Sequence, residues 1–250
     1  MSLVSSSGWA PAWSSSRYCR QLAAIGAAGQ EALESSSALI VGLGGLGSAV
    51  ALYLAAAGVG RLVLIDVDRV ERSNLNRQVL YGESDMGSFK VAAAAARLSD
   101  LNPEISVEGV VADARSGVLE RLLDGVDVVV DCLDDWEDKL RLNEEAVRRG
   151  IPLVHAAVEG WQGHVMTIIA RKGPCLACTF GSVKGRRCTS VVGAAVGVIG
   201  SIQAGEALKL LAGVGEPLVG RLIFVDLKSG TALGAEVARD PRCPVCSRLY

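Results

Sequence analysis

Ala38-Leu39-Ile40-Val41-Gly42-Leu43-Gly44-Gly45-Leu46-Gly47 is the stretch on which the fold turns. Its first four residues are apolar and read as a short buried strand. Gly42, Gly44 and Gly47 then follow in a G-x-G-x-x-G arrangement, and the Ala-rich run 46–57 continues as a helix. A glycine turn between a strand and a helix lets the backbone approach a phosphate, to which the free N–H groups of the helix start can donate. Asp66 ends the next apolar run, RLVLID at 61–66, 24 positions after Gly42. A carboxylate there can accept from ribose hydroxyls. By itself this pattern says only that a nucleotide binds; ATP, NAD(P) and FAD all stay open.

Outward from this turn, strand and helix alternate. Residues 88–100 read as a helix with Ser88 as its N-cap, stopped by Asn102-Pro103. Residues 106–111, 126–132 and 152–157 read as strands, and 136–149 as a charged helix closed by Gly150. Uninterrupted apolar strands joined by helices predict an α/β fold: a Rossmann-like, mostly parallel sheet with helices on both faces. The character then changes. Residues 164–170 suggest an antiparallel strand, 171–190 a loop, 194–212 a long helix, and 221–227 with 231–237 a final hairpin. The sheet is therefore expected to extend through antiparallel strands toward the C-terminus.

A chain of 250 residues fits one large α/β domain or two small ones. It is 50% hydrophobic but only 4% aromatic, so packing rests on Ala, Val, Leu and Ile, with 29 glycines allowing close backbone approach. A net charge of −2 gives no reason to expect a nucleic acid or an anionic membrane as partner. Residues 38–60 carry no charge for 23 positions, long enough to cross a bilayer. Six glycines and the clean division into strand, turn and helix favour a soluble core instead. The Ser-rich start, without an acidic residue before Glu31, faintly resembles a transit peptide but lacks the apolar stretch of a secretory signal. A disordered lead-in over 1–16 is the simpler expectation.

The segment after Asp66 narrows the ligand. Asn74, Arg77 and Gln78 follow it closely, Lys90 comes next, and Arg20 stands near the start. A dinucleotide site needs little positive charge beyond its helix dipole, whereas a triphosphate needs cations for the leaving pyrophosphate. Each Arg or Lys alone reads as a solvated surface charge; the combination with Asn74 and Gln78 favours ATP.

Arg-Tyr-x-Arg-Gln at 17–21, Gly-x-Gly-Gly-x-Gly at 42–47, Asp-x-Asp-x-Val at 66–70, Ser-Asn-Leu-x-Arg-Gln at 73–78 and Asp-Cys-x-Asp at 131–134 stand in this order. Together they resemble the ubiquitin-activating (E1-like) adenylyltransferases, especially those acting on molybdopterin-synthase and thiamine sulfur carriers. The resemblance runs from about Arg17 to Cys246. It implies one E1-like adenylation domain over 17–250, with a nucleotide-binding part near 38–157 and a carrier-binding and zinc part near 158–250. It implies that Gly42, Gly44 and Gly47 cradle ATP, that Asp66 holds the ribose, and that Asn74, Arg77 and Lys90 contact phosphates. Gln78 joins that nucleotide site, and Asp134 binds Mg²⁺. Arg20 reaches the ATP of a neighbouring subunit, which implies a homodimer. The carrier has a ubiquitin-like fold ending in Gly-Gly, and its tail threads toward Asp134 beneath loop 179–190. Two positions depart from the family pattern. Asp135 replaces an Asn, adding charge beside Asp134, and Lys139 replaces an Arg, keeping charge without the guanidinium fork.

Of seven cysteines, four form two C-x-x-C pairs, Cys175/Cys178 and Cys243/Cys246, 64 residues apart. Two such pairs supply a tetrahedral, closed and therefore structural Zn²⁺ site, and they point to a reducing compartment, the cytoplasm. One C-x-x-C alone would also suit dithiol chemistry. Cys188 lies in a basic loop whose arginines favour its thiolate. It matches the position where the family carries a cysteine able to form a thioester or persulfide, and an incidental loop cysteine is the equal alternative. Cys19 and Cys132 read as packing residues, and His155 and His164 as structural. The chain ends four residues after Cys246, so sulfur is expected from a separate donor protein. Two rival readings remain: an NAD(P)-dependent oxidoreductase, and a non-catalytic E1-like scaffold.

Overall fold

The computed structural model describes residues 16–181, 183, 185, 188 and 190–247. The lead-in over 1–15 lies outside them, as do Arg186 and Arg187 beside Cys188. The strands are β1 (Ser37–Val41), β2 (Arg61–Asp66), β3 (Ser106–Val111), β4 (Val128–Asp131), β5 (Leu153–Glu159), β6 (Gln162–Ile168), β7 (Arg221–Asp226) and β8 (Thr231–Glu236). They form one sheet in the order β3-β2-β1-β4-β5-β6-β7-β8. Pairing is parallel from β3 to β5 and antiparallel from β5 to β8, as the change in patterning predicts.

The helices are α1 (Cys19–Ser35), α2 (Gly45–Ala57), α3 (Lys90–Leu101), α4 (Val118–Leu122), α5 (Trp136–Arg149), α6 (Leu176–Phe180) and α7 (Gly193–Ala212). Successive strand residues point to opposite faces, so each buried strand feeds two cores. Ile40, Leu64, Val130 and Val154 pack with α1, α2, α3 and α7. Leu39, Val63, Val129 and Leu153 pack with α4, α5 and α6. The uncharged stretch 38–60 is thus β1, the turn and α2. Helix α7 is also apolar and long enough to cross a bilayer, but it packs along α2 and the sheet as a core helix.

Short helices α4 and α6 are not among the expected elements, and α6 stands inside 171–190, expected as a loop. Local chemistry accounts for the elements that form and for two others that depart from expectation. Asp135 caps α5, accepting from Glu137 N at 2.9 Å and Asp138 N at 3.3 Å. Acidic residues fill the first turn of α5, basic ones the last, and Gly150 closes it at φ 73°. Helix α3 begins two residues later than expected, with Phe89 at its N-cap position and no side-chain cap. The reason is that Ser88 is drawn backward: its carbonyl accepts from Val70 N at 2.9 Å, and Phe89 bridges Arg69. Helix α1 has no counterpart among the expected elements. It is interrupted at Gly26 (φ 77°), which breaks the apolar periodicity by which a helix is read.

Two close approaches hold the centre. A Cβ on Gly47 would sit 2.1 Å from the Gly42 carbonyl oxygen, and Gly42 itself has φ 91°. On the other face of the sheet Asp131, fully buried, meets Lys139 of α5, 2% exposed, at 3.1 Å. Lys139 Nζ also donates to the Ala156 carbonyl at 2.7 Å. Burial alone would raise the Asp131 carboxyl; Lys139 and His155 outweigh it and hold it below the usual carboxylate range.

Two outcomes follow. Gly47→Ala will lower unfolding free energy by about 1–3 kcal/mol through overpacking, measured by urea denaturation. Lys139→Met will cost about 3–5 kcal/mol, since it strands a buried anion. The sign of the pH effect is also set. Asp131 binds its proton less readily folded than unfolded, so its contribution is complete above about pH 4 and is lost as pH falls through the lower folded value. In Lys139→Met the slope of stability against pH in that acid range will flatten.

Candidate active site

A cleft of about 1290 Å³ opens over the ends of β1, β2 and β4 and continues along β5 and β6. This is the edge at which open α/β sheets bind ligands. The glycine turn forms its floor. Asp66 Oδ2 accepts from Leu43 N at 2.7 Å, and Oδ1 accepts from Asp68 N at 2.8 Å. Asp66 therefore first holds the turn in shape, and the lone pairs left on its carboxylate line the cleft. A Cβ on Gly44 would meet only Gln78 Nε2, at 3.9 Å, so the turn leaves room for a ligand's phosphate.

The polar cluster expected beyond Asp66 is brought to the same cleft. Asn74, Arg77, Gln78 and Lys90 all line it. Gln78 is 3% exposed, and its Oε1 has no hydrogen-bond partner. An orphaned buried acceptor of this kind is costly unless a ligand completes it. Asn74 Oδ1 accepts from Glu71 N at 3.1 Å and so shapes the loop. Arg77 donates to the Ser73 carbonyl at 2.7 Å and to Asn76 Oδ1 at 3.1 Å. Lys90, 5% exposed, holds Asp68 at 2.7 Å. Both cations thus sit at the wall on local partners.

Asp134 is exposed at the lip, immediately before the Asp135 cap of α5. Its carbonyl accepts from Cys188 N at 3.2 Å, which ties Cys188 to the lip. The two departures from the family pattern find their places here. Asp135 turns its carboxylate onto the N–H groups of α5, so its charge is spent on the helix start rather than beside Asp134. Lys139 is buried, and its charge is spent on Asp131 at 3.1 Å. Burial pushes the Cys188 thiol up, with Glu159 and Asp134 adding to the effect, so among the described residues its surroundings favour the thiol over the thiolate. Arg20 lies exposed in the first turn of α1, and a single chain does not bring it to the cleft.

Of the two histidines read as structural, His164 takes part in the cleft wall and His155 backs it from the core. Asp131 Oδ2 lies 2.7 Å from His155 Nδ1, and His155 Nε2 lies 3.2 Å from His164 Nε2. His164 lines the cleft, flanked by Trp136 and Phe180. The two histidines are nine positions apart across the β5–β6 turn, and only the hairpin register puts them on one face.

The four paired cysteines converge behind α6. Cys175 and Cys178 sulfurs are 4.0 Å apart, Cys175 and Cys243 3.6 Å, and Cys178 and Cys246 3.4 Å. Four sulfurs at 2.3 Å from a tetrahedral centre would lie ~3.8 Å from one another. The cluster is compatible with zinc.

This architecture is not solitary. The chain is 42% identical to the SAMP-activating enzyme E1 of Haloferax volcanii, over 92% of this chain and 88% of that one. It is 41% identical to the sulfur carrier protein adenylyltransferase of Thermus thermophilus, over 92% and 90% respectively. The fold matches that of E. coli MccB solved with ATP, at TM-score 0.83 and 24% identity, covering 93% of this chain and 74% of that one. The ThiF family matches residues 18–245, from the start of α1 into the last cysteine pair. A match that takes in the glycine turn, the Asp134 lip and three of the four paired cysteines in one continuous span leaves a single assignment: the chain belongs to the ThiF family.

Proposed function

We propose that this chain is an ATP-dependent adenylyltransferase that activates the C-terminal glycine carboxylate of a ubiquitin-like sulfur-carrier protein. The observation that carries the reading is the convergence of the glycine turn, Gln78, Arg77, Lys90 and Asp134 on one cleft. Among the relatives, one is named a sulfur carrier protein adenylyltransferase. The chemistry brings two anions together: a carboxylate oxygen attacks the α-phosphate of ATP, pyrophosphate leaves, and an acyl-adenylate forms. Gly44 and the following helix start offer N–H groups to the phosphates, and Gln78 Oε1 gains the donor it lacks. Lys90 and Arg77 exchange local partners for phosphate oxygens and take up the charge that builds on the leaving group. Asp66 holds the turn and, with its remaining lone pairs, the ribose. Mg²⁺ on Asp134 supplies charge neutralisation between carboxylate and polyphosphate.

The division of labour follows the sheet: the nucleotide part spans about 38–157, and the carrier and zinc part about 158–250. Zinc in the four-cysteine cluster ties the C-terminal tail to α6. Arg20 completes the phosphate site of a second subunit in a homodimer. A separate sulfur donor converts the adenylate to a thiocarboxylate in a molybdopterin, thiamine or similar pathway, with or without Cys188. Thiols kept unpaired suit the cytoplasm.

ATP–pyrophosphate exchange will appear only when a carrier ending in Gly-Gly is added. In Asp134→Ala it will fall by about 100-fold or more. Undiminished exchange in that variant would remove Asp134 from the metal role, and tight binding of a nicotinamide coenzyme without exchange would replace the whole reading by hydride chemistry. Elemental analysis will find close to one zinc per chain, and Cys243→Ser will lose it together with thermal stability; less than about half an equivalent in the unaltered protein sinks the zinc site.

A further inference from the structure

Asp131, His155 and His164 form a hydrogen-bonded chain from the buried end of β4 to the cleft wall, and adenylylation as described above uses none of it. Its polarity follows from one end. Lys139 sits on Asp131 Oδ1, so the carboxylate is an anion and only accepts. His155 therefore keeps its proton on Nδ1, facing Asp131 Oδ2, and offers a lone pair at Nε2. His164 Nε2, 3.2 Å away, must donate to that lone pair. His164 Nδ1 is then left without a proton, and it has no hydrogen-bond partner among the described residues.

This acceptor is fixed in state and in direction. Burial, then His155, then Lys139 push the imidazolium pKa of His164 down to about 3, so the ring stays neutral. The titratable or charged groups facing it are Asp131 from β4, Lys139 from α5 and His155 from β5. Phe180 from α6, Phe224 from β7 and Trp136 from α5 bring none. The ring stacks on Phe180 at 4.9 Å and 20° and lies 6.2 Å from Trp136 at 28°, which prevents it from turning.

A neutral acceptor repels phosphate and carboxylate oxygens and takes only a donor. Its place is set apart from the glycine turn: β6 is three strands from β1 in the sheet, roughly 14 Å away. It is two strands from β4, whose end leads to Asp134, roughly 10 Å, of which an extended dipeptide spans ~7 Å. A tail without side chains can also lie against a wall of rings.

We propose that His164 Nδ1 accepts a hydrogen bond from a backbone N–H of the carrier's Gly-Gly tail and so holds the tail extended, with its carboxylate toward the nucleotide. His164 is a positioning and specificity residue in this role, and the inference rests on the carrier reading above.

The test uses the whole enzyme and a semisynthetic ubiquitin-fold carrier ending in Gly-Gly. In it the N–H of the last or of the penultimate glycine is replaced by an ester oxygen. Carrier-dependent ATP–pyrophosphate exchange is the readout. One of the two esters will raise the KM for carrier about 3–10-fold, the size of one neutral hydrogen bond, with kcat and the KM for ATP unchanged. His164→Phe, which keeps the ring stack, will raise the KM for the all-amide carrier by the same factor and show no further penalty with the ester. His164→Asn, which places an amide oxygen near the Nδ1 position, will recover part of the loss. If both esters behave as the amide with the unaltered enzyme, or if the ester penalty persists in His164→Phe, the proposal is overturned. Absence of exchange with the all-amide carrier is a different failure: it overturns the carrier reading itself, and this inference with it.

Discussion

A carboxylate taken wholly out of water must find its countercharge within the fold, and Asp131 sets that requirement at the end of β4. The compensation comes from three directions. Lys139 reaches it from α5, His155 from β5, and Leu133 N from the chain leaving the strand. The first fixes how far α5 can lie from the sheet. The last bends the chain so that Asp134 emerges at the lip of the cleft. One buried anion thus links the α5 face of the core to the position of the residue assigned to the metal. It also gives direction to the histidine pair, because a row of neutral imidazoles has no preferred polarity until one end is anchored.

The cleft itself is built from groups already engaged. Lys90 rests on Asp68, Arg77 on its own loop, and Asp66 on the glycine turn. Such local partners hold the cations at the wall without ligand, which lowers the ordering that binding must impose. Gln78 is the exception: its buried amide oxygen is unmatched until something enters.

Much of this was legible beforehand, for identifiable reasons. β2, β3 and α5 match their predicted limits because strong punctuation bounds them: Gly60 and Asp66, Pro103, Asp135 and Gly150. The glycine turn and the cysteine pairs are legible because spacing alone constrains their geometry. Illegible features depend on register or on tertiary exchange. Whether His155 and His164 meet is decided by the pairing of Ala157 with His164. Whether Ser88 caps a helix is decided by a bridge to Arg69 and Val70. That Lys139 serves Asp131 depends on burial, which no local pattern encodes. Among the described residues the neighbourhood of Cys188 likewise includes the carboxylates of Glu159 and Asp134, which its own stretch of sequence does not announce.

The cysteine clasp has a reach far beyond its own four residues. It joins Cys178 to Cys246, and between them the chain makes α7, β7 and β8 before returning. Within that girdled segment α7 lies along α2, the helix that the glycine turn opens, and Gly200 packs against Leu46 and Ala49 there. Opening the girdle would release the whole segment to the entropy of an unclosed loop. The helix whose start lines the cleft would then lose part of its backing, so a defect far from the cleft would surface as a looser grip on whatever binds there.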